Sequence, residues 1–589
     1  MVSIKRNLPN GSVIQFDRVS FSGREKFTYI GKGSFGAKAS SLALFSEILE
    51  NKIAPLFRPA INIEIPLLTV IASDFFDSFM SHQNLLDIAL TATNDEQIVE
   101  AFQQAELPVE LVDDLRAFLV QIRVPLAIRS SSLLEDTMGE PFAGIYATAM
   151  APNNQLDLGD RLSHLTKAIK YIYASTFFKR AKDYRCAVGK QIHQEKMAVI
   201  IQELVGHDHA GRFYPHISGV ARSFNFYPLD PVRAEDGVIN LALGLGKMIV
   251  EDGTSWSYSP AYPQVNPPYM TVHDLLKQSQ KEFWALSLTG STTGKQAVLP
   301  ENLGKYPLSD AEHDGTLSHI ASTYNTEDDR ITMGLSGTGP RIVDFAHIVK
   351  GEMIPLTLLL KHLLQECAEL FNTMVTIEFA ITWNMDTPSP ARFGFLQVRP
   401  MVVADARVQI QPEQLQGDNV LVASESALGN GQLDDISDIV YTKAEMFDIM
   451  HTRTIAASLE QINRELIAQK RPYLLIGFGR WGSSDPSAGI PIDFAQISGA
   501  KIIVETTLPD FNFILSQGSH LFHNITSFKI FYFSVSHTGK YAIDWAWLRA
   551  QQIIEETTYI RHVRTTQPLQ IKVDGRTSRG VIYKSVRDK

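Results

Sequence analysis

The sequence predicts a mixed α/β or α+β protein built from more than one domain. Three observations carry that expectation. Helical and strand patterns alternate along the whole chain instead of segregating. Its 589 residues exceed what one hydrophobic core organises. A polar, glutamine-rich stretch, "ARVQIQPEQLQGDN", separates two αβ regions, which places a boundary near residue 405.

The individual elements follow from periodicity. Apolar residues recur every three or four positions in "PVELVDDLRAFLVQIR" and in "RLSHLTKAIKYIYASTFFKRAKDYR", so both read as helices. "IPLTLLLKHLLQECAELFNTM" reads the same way. Between them, "PLAIRSS", "MAVIIQELV", "GVINLAL", "TIEFAIT" and "FGFLQVRP" are short β-rich runs. Beyond the connector, "SLEQINRELIAQK" is a helix, and "PYLLIGFG", "AKIIVET" and "FKIFYFSV" are strands. The tail from "RTTQPLQIKVDG" reads as a strand hairpin. The domains expected are 1–405, with lobes of about 1–195 and 196–405, and 406–589.

Composition narrows the function classes. The formal net charge is -10, against a general nucleic-acid binder, which needs a basic stripe. Two cysteines, Cys186 and Cys367, lie far apart without CxxC spacing, against a disulfide scaffold or thiolate zinc site. No signal-peptide pattern opens the sequence, and no apolar run approaches the roughly 20 residues of a spanning helix. A cytoplasmic protein without membrane or nucleic-acid partners is expected.

Four stretches of the first region combine into a phosphate chemistry. In "GKGSFGAKASSLALF" the glycines allow a tight turn, Lys38 adds a positive charge, and a helix start offers amides to an anion. An ordinary turn before a helix explains the same residues. "PLAI" is a strand that delivers Arg129, whose guanidinium fork suits phosphate oxygens. The serines and small residues of "RSSSLLEDTMGEPFAGIYAT" follow, reaching Gly144 and Thr148. A surface loop with Arg129 paired to Glu135 or Asp136 is the competing reading. "AVIIQELVG" turns polar at Gln202 and Glu203 and offers a backbone edge to an adenine. It is equally readable as a plain strand end.

The fourth stretch, "TIEFAITWNMDTPSPARFGFLQVRP", places Glu378 and Gln397 on neighbouring strands of a hairpin, with Arg399 two residues on and on the same face as Gln397. A carboxylate, an amide oxygen and a guanidinium on one sheet face suit a Mg²⁺-triphosphate site. Burying the three for architecture alone is costly.

"GAKASSL", "IRSSSLLED…FAGIYAT", "GLGKMIV" and "IEFAI…FLQVRP" occur in this order in the ATP-binding domain of phosphoenolpyruvate synthase and pyruvate phosphate dikinase. Roughly the first two thirds of the chain resembles that family. The resemblance implies an ATP-grasp fold, also found in rifampicin phosphotransferase and glucan water dikinase. It implies that Lys38 and Arg129 contact ATP phosphates beneath a loop containing Gly144 and Thr148. Gln202, with Glu203 beside it, would sit at the adenine hinge, Glu378 and Gln397 would hold Mg²⁺, and Arg399 would neutralise the transferring phosphoryl group. Lys247 stands where relatives commonly have glutamate. No "GGxTSHAA"-type phosphohistidine motif occurs, and the residues after 405 do not accommodate a swivelling domain plus a pyruvate-binding barrel of about 250 residues.

Two stretches of the second region invite a role. "GFGRWGSSDPSAGIP" reads as a binding loop built on Arg480 and Trp481, or as a buried tryptophan beside tight turns. "SQGSHLFHNITSF" presents His520 with His523 three residues on. His520 is a candidate phosphoryl carrier, although nearby histidines are more often packing or surface residues. The expected function is an ATP- and Mg²⁺-dependent phosphotransferase with a separate phosphoryl acceptor. The alternatives are a non-catalytic ATP-binding regulatory module acting on a partner protein, or one chain of a split phosphoenolpyruvate synthase.

Overall fold

The computed structural model describes residues 13–584 apart from 83–84, 134, 136–143, 188–194, 226–227, 229–230, 251–253, 266–271, 273–274, 277–278, 290–301, 352, 385–388, 402–407, 483–488, 510–529 and 576. The alternation of helical and strand patterns becomes several mixed sheets with helices packed against them, in keeping with an ATP-grasp-like domain. Two six-stranded sheets organise the first region. One runs in the order Ile14–Gln15, Phe27–Ile30, Leu68–Ile71, Met197–Glu203, Leu126–Ser132, Thr148–Ala151. The other runs Trp256–Tyr258, Val238–Ala242, Ile217–Arg222, Val375–Thr382, Ala391–Pro400, Ile61–Glu64. Sheet membership does not follow chain order. Ile61–Glu64 crosses into the second sheet, and a cut at 195/196 would part Met197–Glu203 from the first.

The helices form where apolar periodicity demands. Val109–Gln121 buries Leu111, Leu115, Phe118 and Leu119, spaced to make one stripe. The long helical pattern after residue 157 splits into Leu158–Ser175 and Lys179–Ala187. Leu356–Phe371 ends at Asn372, whose φ of 50° stops the helix in the left-handed region.

The second region is built on a nine-stranded sheet. Gly431–Thr442, Tyr473–Phe478, Ala500–Thr506 and Phe531–Val535 run parallel at its centre, and the amphipathic helix Thr452–Ala468 bridges the first two. Ile560–Asp574 and Arg579–Tyr583 form the antiparallel arm expected of the tail. The core of this region is continuous with that of the first: Tyr184 and Phe494 meet with ring centroids 5.7 Å apart. Lys179 and Glu460 approach to 2.7 Å across the same junction. Among the described residues no helix is long and apolar enough to cross a membrane.

Asp438 pins the nine-stranded sheet. It is 1% exposed, and Arg471 Nε, His562 Nε2 and Arg564 Nε lie 2.7, 2.8 and 2.9 Å from its carboxylate. Burial alone would raise its carboxyl, but the hydrogen bonds from His562, Arg471 and Arg564 outweigh it and bring it down to about 2. That lies below the value near 3.9 of an unfolded chain, so the stabilisation is complete above about pH 4 and is lost as pH falls toward 2. Asp438→Ala, which leaves buried His562 and the part-exposed Arg471 and Arg564 without their shared acceptor, is expected to cost up to about 3 kcal/mol, since solvent screens the two guanidinium groups. Thermal melting at pH 7 and at pH 3 checks both statements, since the variant should lose less than wild type on acidification.

Candidate active site

The two six-stranded sheets and the second region share a cavity of about 700 Å³. Its floor comes from the central strands of the first sheet. Leu126–Ser132 lies antiparallel to Met197–Glu203, which sets Ala127 opposite Gln202, and to Thr148–Ala151, which sets Arg129 opposite Thr148. Arg129, Gly144, Thr148, Gln202, Glu203 and Glu378 all line the cavity.

The opposing wall depends on a β-bulge. Glu378 pairs with Gln397, but the next residue, Phe379, pairs with Phe395, so Leu396 is the extra residue. Phe393, Phe395 and Val398 all enter the hydrophobic core, a spacing of two and then three. Strict alternation from Phe395 would have sent Gln397 and Arg399 into that core. Because of the bulge they take the other face, and the Leu396 carbonyl turns toward Arg129.

Arg129 gathers the site. Its Nη2 donates to Gln397 Oε1 at 2.6 Å and to Glu378 Oε2 at 3.2 Å. Its Nη1 donates to Leu396 O at 3.1 Å and reaches Gln202 Oε1 at 3.4 Å. The structure therefore brings Arg129, Gln202, Glu378 and Gln397 together, and pairs Arg129 with Glu378, while Glu135 pairs with Lys38. Arg399 sits opposite Thr376 and is 7% exposed, and neither it nor Gln397 lines the cavity. Its Nε, like Gln202 Nε2, is buried without a hydrogen bond. Glu203 carries its own partner, Arg392, at 2.9 Å.

Lys38 stands apart from this group. Its Nζ donates to Glu135 Oε1 at 2.7 Å and to Ser130 Oγ at 3.2 Å, and it does not line the cavity. The glycine turn before it also has internal partners. Asp74 accepts from the amides of Lys32 and Gly33 at 2.9 and 2.8 Å, in the turn that precedes the helix start. Gly36 has φ of +73°, and a Cβ there would lie 1.8 Å from the Ser131 carbonyl oxygen. That glycine serves the seating of the helix Gly36–Ile48 on the strand that carries Arg129.

The segment from Gly144 to Thr148, which lines the cavity, is anchored through Tyr146. The Tyr146 hydroxyl donates to Glu195 Oε2 at 3.0 Å and accepts from Arg185 Nη2 at 3.1 Å. The side chains of Arg185 and Glu195 are fully buried, and burial pushes the Glu195 carboxyl up against the pull of Arg185. Gly144, with φ of 66°, opens the turn that this network holds.

Lys247 lines the cavity with its ammonium 4.5 Å from the centroid of Trp284, a cation–π contact. From the second region, Gly482 and Pro491, both within the stretch read as a binding loop, and Ile492 to Phe494, which sequence reasoning missed, complete the wall beside Tyr171 and Arg180. Arg180 and Asp493 approach to 3.3 Å there. Trp481 is 1% exposed and packs in the core, as the buried alternative had it. His520, His523, Asp136 and the residues from Ser483 to Asp485 lie outside the described residues.

The donor set is informative about ligands. Glu378 and Gln397 present a carboxylate and an amide oxygen, the hard donors that Mg²⁺ takes. Arg129 and Lys247 supply positive charge, and Gln202 Nε2 and Arg399 Nε are buried donors awaiting acceptors. These residues fit a metal-bound polyanion. Among the described residues no group of three or more His, Cys, Asp or Glu side chains forms a metal cluster.

Two mixed sheets closing on a cavity of this chemistry define a nucleotide-binding module. The chain belongs to the family of pyruvate phosphate dikinase AMP/ATP-binding domains, whose model matches residues 32–418. Among named relatives, rifampicin phosphotransferase of Bacillus cereus is 28% identical over 159 residues, 26% of this chain and 16% of that protein. An uncharacterized phosphotransferase of Bacillus subtilis, YvkC, is 31% identical over 146 residues, 24% and 15% of the two chains. Rifampicin phosphotransferase of Streptomyces sviceus is 27% identical over 162 residues, 27% and 16% of the two. The matches thus span well under a quarter of each relative's own length.

Proposed function

We propose that this protein is an ATP- and Mg²⁺-dependent phosphotransferase of the phosphoenolpyruvate synthase and dikinase type. The observation that carries the reading is the Arg129–Glu378–Gln397 cluster at a cavity within the family-matched region. The strand end from Gln202 to Val205 offers an edge for the base. Arg129 and Lys247 face the phosphates, and the turn from Gly144 to Thr148 shields them from water. Glu378 and Gln397 would hold Mg²⁺, which when bound supplies charge neutralisation of the phosphate oxygens. Arg399 provides the buried charge for the phosphoryl group in flight. Lys38 reaches nucleotide only by leaving Glu135, which makes that carboxylate its holder.

A second reading, a non-catalytic ATP-binding regulatory module, draws on one observation. Asp493 and Phe494 of the second region line the cavity, so nucleotide occupancy is felt there directly. Incubation with ATP and Mg²⁺ followed by nucleotide chromatography separates the readings. AMP is the expected product. ADP would make the protein a simple kinase, and absence of turnover would favour the module. With β- or γ-labelled ATP, acid-labile label on the protein that disappears in His520→Asn but not in His523→Asn would assign the carrier role to His520.

A further inference from the structure

Arg129 occupies the pair of oxygens proposed to hold a metal ion. One Nη2 atom bridges Gln397 Oε1 at 2.6 Å and Glu378 Oε2 at 3.2 Å, joining the two strands that carry the oxygen ligands. The side chains of Arg129 and Glu378 are only 15% and 19% exposed, so solvent screens the pair weakly. A divalent ion drawn to these oxygens competes with the guanidinium for them. Like charges held this close in a partly buried site repel strongly, and the repulsion is doubled for a divalent ion. The guanidinium's other contacts are a carbonyl oxygen and an amide oxygen, both neutral. Phosphate oxygens match its fork better, with two charge-assisted bonds in place of single ones.

We propose that Arg129 is a resident counter-cation that keeps the metal position closed until nucleotide phosphates draw the guanidinium away. The ion then enters with the nucleotide and not before it. This rests on the reading of the cavity as an ATP–metal site, and it gives Arg129 a second role: excluding free divalent ions from Glu378 and Gln397.

The test is Mn²⁺ binding to the nucleotide-free full chain, read by electron paramagnetic resonance, with thermal melting as the folding control. Wild type should bind no Mn²⁺ attributable to Glu378, meaning that Glu378→Ala leaves its titration unchanged. Arg129→Ala, or Arg129→Gln if the alanine variant melts early, should gain a site tighter by on the order of tenfold or more. Adding Glu378→Ala to either variant should remove that site. Arg129→Lys, which keeps the charge, should restore exclusion. A Glu378-dependent Mn²⁺ site in nucleotide-free wild type overturns the proposal, as does a folded Arg129→Gln protein that gains none. If wild type takes up no Mn²⁺ even with ATP added, the ATP–metal reading itself fails, which separates the two failures.

Discussion

Replacing Arg399 with alanine is expected to lower turnover by about 10²–10³-fold while leaving ATP affinity nearly unchanged. Arg399 is carried by Ala391–Pro400 two residues beyond Gln397 and does not line the cavity wall. A group set back in this way contributes little to ground-state binding. In the proposed mechanism its charge acts when negative charge spreads over the phosphoryl group in transfer, because low-dielectric surroundings strengthen such an interaction. The buried Nε without a hydrogen bond is consistent with a donor kept for a transient acceptor. The measurement is AMP release at saturating ATP, paired with calorimetric affinity and a melting curve. A folded Arg399→Ala protein with full turnover would make the residue architectural.

Glu378→Ala should have a comparable effect by a different route. It removes the one carboxylate among the proposed metal ligands and the anionic partner of Arg129. Binding of ATP in the presence of Mg²⁺ should fall to the level seen without the metal. Some stability is also lost, because breaking a partly buried pair strands the guanidinium, at about 3 kcal/mol in a well-buried case and less at this exposure. Glu378→Gln separates the two consequences: it keeps an oxygen acceptor for Arg129 yet lacks the charge that makes a carboxylate a strong Mg²⁺ ligand.

The parts of this site that were legible in the sequence are those set by local rules. Period-two and period-3.6 patterns located the strands and helices, and the hairpin of Val375–Thr382 with Ala391–Pro400 put Glu378 beside Gln397. What stayed hidden depends on tertiary register. The Leu396 bulge turns Gln397 and Arg399 off the core face, yet nothing in "FGFLQVRP" marks an extra residue. Lys38 is held by Glu135 because a helix start and a strand end converge across about a hundred positions. Asp493 and Phe494 reach the cavity only because the second region shares a core with Tyr184 and its neighbours. No local pattern encodes that docking. The glycines of "GKGSFG" also serve the fold: their turn receives the Asp74 carboxylate, and Gly36 permits a close backbone approach.

The central claim is that Arg129, Glu378 and Gln397 form a metal–triphosphate site, and calorimetric titration of the wild-type chain with ATP tests it most directly. The titration is run once with excess Mg²⁺ and once with a chelator. The account predicts a strong gain in affinity with Mg²⁺ that vanishes in Glu378→Ala. Equal affinities with and without the metal, or a Mg²⁺ gain that survives in Glu378→Ala, would contradict it.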